Sequence, residues 1–250
     1  MPDGPNVIEH YASIIERLAP RVRVVCFDMP GFGFSSASAD YRHTLDQGAG
    51  AVLGVLDALL VPRVNHAFSC ANGLYALRVA RLAPSRVASL ILWQTPSLGA
   101  MQAWARRVIP KPLRIPLLGQ TVAWAFRERL ASRWYEMALP RFHDPAPFRQ
   151  LAQHALRDGG CFSPAGVVQG LLTGPAGNLS GVSTFCSSSW GESDRTHRRI
   201  DPESLRLHAS EVRVSRCDGL GHFPDVGDPE RFVSLLTAQV ASCLRIRHRL

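Results

Sequence analysis

The first part of the chain alternates between two periods of apolar and polar positions. Residues 7–18 carry apolar side chains at helical spacing, and 21–27 (RVRVVCF) is a β-branched run of strand length. An apolar-striped helix is predicted over 45–60, a short strand over 64–68, a helix over 74–82 and a strand over 87–93 (VASLILW). Such alternation predicts an α/β architecture, a mostly parallel sheet with helices on both faces. The pattern breaks at 97–180, which is rich in Trp, Arg and Pro. Its pieces MQAWARRV, QTVAWAFRERLASRWYEMAL and FRQLAQHALR are helix-like, and it has no convincing strand. Strands resume at 182–187 and 212–216, and 230–244 closes the chain as an amphipathic helix. A helical insertion between two strands of one sheet reads as a cap over the carboxyl ends of the strands, where open parallel sheets bind ligands. The expected organisation is a core of 1–96 and 181–250 with a helical cap over 97–180.

Composition narrows the function. A chain of 250 residues with 46% hydrophobic side chains can bury one substantial core. The net charge of +8 comes almost wholly from arginine, Lys111 being the sole lysine. The arginines are scattered except around 195–199 and in the tail RIRHRL, expected to be a frayed helix end. Scattered charge of this kind solvates a surface, whereas a nucleic-acid binder gathers its basic residues on one face, so no nucleic-acid partner is expected. The six cysteines (Cys26, Cys70, Cys161, Cys186, Cys217, Cys243) have no CxxC pair and no Cys/His ligand spacing, which argues against a zinc site and a disulfide framework. No signal peptide or membrane span is visible in the pattern, so a cytoplasmic protein with free thiols is expected.

Three motifs fall in one order. A strand, HAFSCANG (66–73) and a helix come first; WGESD (190–194) follows the strand after the insertion; GLGHFPD (219–225) follows the last strand. Together they resemble the α/β hydrolase family, whose triad runs nucleophile, then Asp or Glu, then His. DMPGFGFS (28–35) is similar to the DxPGxGxS loop common in that family. The resemblance implies a catalytic triad with His222 as general base and Asp194 as the carboxylate that orients it. Even a thiol with a pKa near 8.5 gains from an imidazole partner.

Two residues compete for the nucleophile. The GxSxG elbow of the family needs small residues two positions either side, because the strand turns sharply into the helix there. Centred on Ser69 these are Ala67 and Ala71; centred on Cys70 they are Phe68 and Asn72. Helix phase points the other way. In the family run SxGGxxALxxA the nucleophile precedes Ala and Leu by six and seven positions, the spacing of Cys70 to Ala76 and Leu77. Gly73 then falls where the helix must pack closely on the sheet, and Asn72 takes a glycine position as the residue most tolerant of left-handed backbone. Cys70 is therefore favoured, as in dienelactone hydrolases, with Ser69 the alternative.

The resemblance also implies an oxyanion hole made by the backbone N–H of Ala71 and one from an early loop. PDGPN (2–6) resembles the HGGPG loop of members such as prolyl iminopeptidases, which makes Asp3 the second donor, with its carboxylate expected to point away. In the family that loop follows an interior strand, with others before it. The chain is therefore expected to lack the N-terminal strands, through truncation or an internal start, at about 1–3 kcal/mol for each buried backbone group left unpaired. The implied activity is cleavage of an ester, thioester or lactone through an acyl-enzyme on Cys70, without cofactor or metal. Trp104, Trp124, Trp134, Phe126 and Phe142 in the cap suggest a small apolar substrate. No membrane partner is expected, and a homodimer is the assembly allowed for. The Asp-nucleophile branches, dehalogenases and epoxide hydrolases, are disfavoured. The alternatives are a non-hydrolytic relative (lyase, cyclase or ligand-binding protein) and an inactive truncated member.

Overall fold

A computed structural model describes residues 1–175 and 177–247, with side chains placed up to residue 241. Its centre is a four-stranded parallel sheet of β1 (Val64–Ser69), β2 (Val87–Trp93), β3 (Cys186–Gly191) and β4 (Val212–Cys217), in the spatial order β1-β2-β3-β4. Every connection is a crossover, so all four carboxyl ends lie on the same edge, where the three motifs of the sequence follow β1, β3 and β4. The side chains of β2 show why this sheet must be covered on both faces. Leu90 and Leu92 enter one hydrophobic cluster with α2 (Leu45–Ala58), α3 (Cys70–Leu82) and α4 (Leu98–Val108). Ile91 and Trp93 enter a second with α1 (Ala12–Leu18) and α10 (Pro229–Arg247), and the Trp93 ring lies 5.3 Å from that of Phe232. A strand buried on both sides reads as a continuous apolar run, as VASLILW does.

Between β2 and β3 the chain forms α4, α5 (Leu118–Ala125), α6 (Arg127–Ala138), α7 (Ala146–Arg157) and α8 (Ser163–Val167), the last continued by a π-helical turn at Val168–Leu172. These are the helical insertions expected of a cap. The long helical segment expected over 120–139 divides at Phe126, where the backbone leaves helical geometry (φ −113°, ψ 17°). The side chain of Cys243 and the end of the tail, at 248–250, lie outside the described residues.

Two strand expectations need correction. Residues 21–27 form no strand. The flank of β1 that such a strand would need is met instead by the N-terminus, whose amino group donates to the Ala67 carbonyl at 3.3 Å, while Val24 and Cys26 pack only through their side chains. With no neighbouring backbone to pair with, β-propensity alone does not make a ladder. None of the described residues before β1 forms a strand. The strand expected over 182–187 begins later, at Cys186, with Val182 making only an isolated bridge to Ala209. Its serines look like loop in sequence but are buried and satisfied within the sheet. Ser189 pairs with Ser215 at 3.0 Å, and Ser188 Oγ accepts from the Trp190 indole at 3.1 Å.

The DMPGFGFS loop returns at hydrogen bonds from Phe32 N to Met29 O (2.8 Å) and from Ser35 N to Phe32 O (2.9 Å). Asp28 is buried at its start. Burial, and then Glu9, push its pKa from 3.8 to about 6. A carboxyl whose folded pKa lies above its unfolded one costs no stability below the lower value, and an increasing amount as pH rises from 3.8 through 6. Asp28→Asn should therefore leave stability near pH 4 unchanged and raise it by about 1–2 kcal/mol at pH 8. Urea denaturation at the two pH values checks this, and equal effects at both would refute it.

Candidate functional site

The turn out of β1 selects between the two candidate residues. Ser69 is still extended (φ −124°, ψ 157°), and Cys70, the first residue of α3, adopts a left-handed backbone with φ 50°. An L-residue pays for that conformation, so a non-glycine here marks a strained turn of the kind that lifts a side chain out of the strand and onto a helix N-terminus. The Ser69 hydroxyl is buried with no hydrogen-bond partner among the described residues. The Cys70 thiol meets Asp3 and His222, and the Ala71 N–H reaches its sulfur. Asn72, expected to exploit left-handed geometry, sits in the regular helix. Its amide donates to the Pro2 carbonyl at 2.8 Å, so it anchors the N-terminal loop. Phe68 does not obstruct the turn. It points into the core on the α3 face and meets the His66 ring edge-on at 5.1 Å.

Gly73 lets this turn happen. A Cβ there would lie 2.1 Å from Thr95 Oγ1 and 2.8 Å from Thr95 Cβ. Thr95, wholly buried after β2, donates to the Cys70 carbonyl at 3.0 Å. Close approach of α3 to Thr95 thus holds the strained residue from behind.

His222 is brought in from the loop after β4. Its N–H donates to the Ala138 carbonyl at the end of α6 (2.8 Å), and Gly221 passes so close that a Cβ would come within 2.5 Å of that same oxygen. The ring is completely buried. Nδ1 lies 2.8 Å from Asp194 Oδ2, and Nε2 lies 3.2 Å from Asp3 Oδ2. Carboxylates only accept, so an imidazole facing one on each nitrogen carries both protons. Burial opposes that charge, but Asp194, the Cys70 sulfur and the hydrogen bond to Asp3 outweigh it and hold the His222 pKa well above its usual value. Burial likewise opposes the ionised form of Asp194, yet His222 and the Thr196 hydroxyl keep its carboxyl below the usual range. Thr196 donates from both N–H and hydroxyl to Asp194 Oδ1, each at 2.7 Å. The Cys70 thiol is pushed up to about 11 by burial and by Asp3, against the pull of His222.

Asp3 departs from expectation. Its carboxylate turns into the site toward His222 because its loop is pinned on both sides, Pro2 by Asn72 and Asn6 by the Tyr135 hydroxyl at 3.0 Å. Ala71, in the first turn of α3, has its N–H beside the Cys70 sulfur.

Other contributors were not visible in the sequence. His197 packs edge-on against His222 (4.8 Å) and Trp104 (4.9 Å); its ring nitrogens are buried without a hydrogen-bond partner, and Nδ1 lies 3.8 Å from Asp194 Oδ2. Burial, then His222, lower its pKa to about 3, so it is neutral. Of the cap aromatics, Trp134 lies edge-on to His222 at 5.5 Å and Trp104 packs against Trp134 and His197. Trp124, Phe126 and Phe142 face solvent instead, being 55%, 48% and 76% exposed. Helical periodicity identified the apolar face but not which apolar residues it buries. Among the described residues, two overlapping sets of donor atoms could hold a metal ion, Asp3 with Cys70 and His222, and Asp194 with His197 and His222, the atoms of each set lying within 4.8 Å of one another.

The family model described as "Alpha/beta hydrolase family" matches residues 6–235. Among curated proteins, the chain is 43% identical over 82 residues to the dihydrolipoyllysine-residue acetyltransferase component of the acetoin cleaving system of Pseudomonas putida, covering 33% of this chain and 22% of that one. It is 38% identical over 96 residues to the pimeloyl-[acyl-carrier protein] methyl ester esterase of Methylococcus capsulatus, covering 38% and 35%. The chain thus spans less than half the length of these relatives. Among solved structures, a thermophilic esterase from Thermogutta terrifontis superposes with a TM-score of 0.72 at 17% identity, over 96% of this chain and 88% of that one.

Gly73→Ala should force α3 away from Thr95 and cost about 1–3 kcal/mol of stability, read from urea denaturation. No loss would show that the helix does not need to approach the sheet so closely.

Proposed function

Since the chain belongs to the alpha/beta hydrolase family, we propose that it cleaves an ester-type bond, in an ester, thioester or lactone, through a covalent acyl-enzyme on Cys70. The observation that carries this reading is the left-handed backbone of Cys70 at the end of β1, which sets its thiol beside an imidazole already oriented by Asp194. The methyl ester esterase relative and the esterase of like fold lend it support. In this reading residues 1–96 and 181–250 are the core and 97–180 the cap. Trp104 and Trp134 favour a small apolar acyl group, a reducing cytoplasmic setting would keep the thiol available, and a homodimer is the assembly to look for.

The steps follow from the geometry. Asp3 first moves away from His222 Nε2, whose proton passes to bulk water, so that Nε2 can then accept the proton of the thiol. The thiolate attacks the carbonyl carbon, and the backbone N–H groups of Ala71 and Asp3 receive the oxyanion. The intermediate collapses as His222 passes the proton to the departing alkoxide or thiolate. Water then gives a proton to His222 and adds to the thioester, and the Cys70 thiolate leaves. Asp194 holds the ring and balances its charge throughout.

A second reading rests on Asp3. Its carboxylate stands next to the place an oxyanion would form, where like charge repels, and Cys70 is only 5% exposed. Those features suit a non-hydrolytic relative that binds or transforms a ligand without acyl transfer, or an inactive member of the family.

Mass spectrometry after exposure to a panel of p-nitrophenyl esters separates these readings. Acylation of Cys70 is expected, abolished in Cys70→Ala and retained in Ser69→Ala, with turnover falling by about a hundredfold or more in Cys70→Ala. Ligand binding without adduct would favour the second reading, and loss of the adduct in Ser69→Ala alone would place the nucleophile at Ser69.

A further inference from the structure

Beyond that reading, we propose that Asp3, Cys70 and His222 form a three-ligand site for a borderline-soft divalent cation of the zinc and cobalt class, and that an occupied site blocks the thiol. The three donors differ in kind: one carboxylate oxygen, one sulfur and one imidazole nitrogen, all buried and within 4.8 Å of one another. The Asp3 Oδ2 to His222 Nε2 distance of 3.2 Å is close to the roughly 3.3 Å that separates two ligands about 2.0–2.1 Å from a tetrahedral zinc. The sulfur lies within 4.8 Å of both, and its bond to zinc is the longer one, at about 2.3 Å.

Three features beyond proximity support the site. Asp194 holds Nδ1 at 2.8 Å, which directs Nε2 at the cation position in the manner of the carboxylate–histidine pairs behind zinc ligands. The Asp3 side chain is pinned inward by its loop, so a ligand arm is built in rather than recruited. Charge balance is the third. Two buried carboxylates face one imidazole, and the excess negative charge that would oppose an oxyanion is what a dication neutralises. Coordination releases the thiol proton and the Nε2 proton to solvent, and no electron transfer is involved. Sulfur and imidazole together select against magnesium and calcium, and three protein ligands leave a fourth position for water. The neighbouring set of Asp194, His197 and His222 is less suited, because Asp194 is already committed to Thr196 and to Nδ1.

The test is anaerobic titration of chelator-treated protein with Co²⁺. A one-to-one complex with a thiolate-to-cobalt charge-transfer band is expected, bleached by Zn²⁺ and not by Mg²⁺. The band should vanish in Cys70→Ser, Asp3→Ala should weaken binding roughly ten- to a hundredfold, and Cys26→Ser should change neither. As a check independent of variant folding, Zn²⁺ should protect Cys70 of the unmodified chain from iodoacetamide, read by peptide mass spectrometry. Absence of a stoichiometric band, its survival in Cys70→Ser, or unprotected alkylation would overturn the site. Acylation without cobalt binding would leave the hydrolase reading standing alone, and cobalt binding without acylation would do the reverse.

Discussion

The left-handed turn at Cys70 is the constraint on which the site depends. A parallel strand buried on both faces must end somewhere, and β1 ends by handing its backbone to α3 through one residue at φ 50°. That conformation is unfavourable for cysteine in isolation and persists because its neighbours leave no alternative. Thr95 grips the Cys70 carbonyl, Gly73 admits Thr95 to the helix, and the Ser69 backbone remains in the ladder opposite Trp93. Relaxing any of these would return the sulfur toward the core, where a free cysteine ordinarily lies.

Around that turn the electrostatics are unusual for a thiol site. His222 has a carboxylate on each nitrogen, so the resting site holds a cationic imidazole and a neutral thiol. Catalysis by this constellation requires Asp3 to withdraw, whereas binding of a dication requires it to stay. One side chain on a short pinned loop therefore separates the two proposed chemistries.

The inserted helices meet the site directly. Ala138, at the end of α6, accepts from the His222 N–H, and Trp134 on the same helix lies edge-on to the His222 ring. Movement of that helix would consequently disturb both the histidine and the apolar surface beside it. The remaining exposed cap aromatics belong to the outer surface.

The alternation of periods in the sequence determined the parallel sheet, its helical insertion and the order of the three motifs, because those follow from local spacing that every fold must respect. The helix phase of Gly73, Ala76 and Leu77 also pointed to Cys70, since a helix carries its register back to its first turn. Strand 21–27 failed for the complementary reason: a ladder needs a neighbour, and a β-branched run cannot report whether one exists. The serines of β3 were illegible because their burial is tolerated through partners on β4, on β3 itself and, from Gln239, on the C-terminal helix. Likewise, cysteine spacing argued against metal, since it registers only ligands close in sequence. Asp3 and His222 lie on two separate loops and Cys70 at the first position of α3, and they converge through tertiary packing alone, so only the tertiary structure decided that they meet.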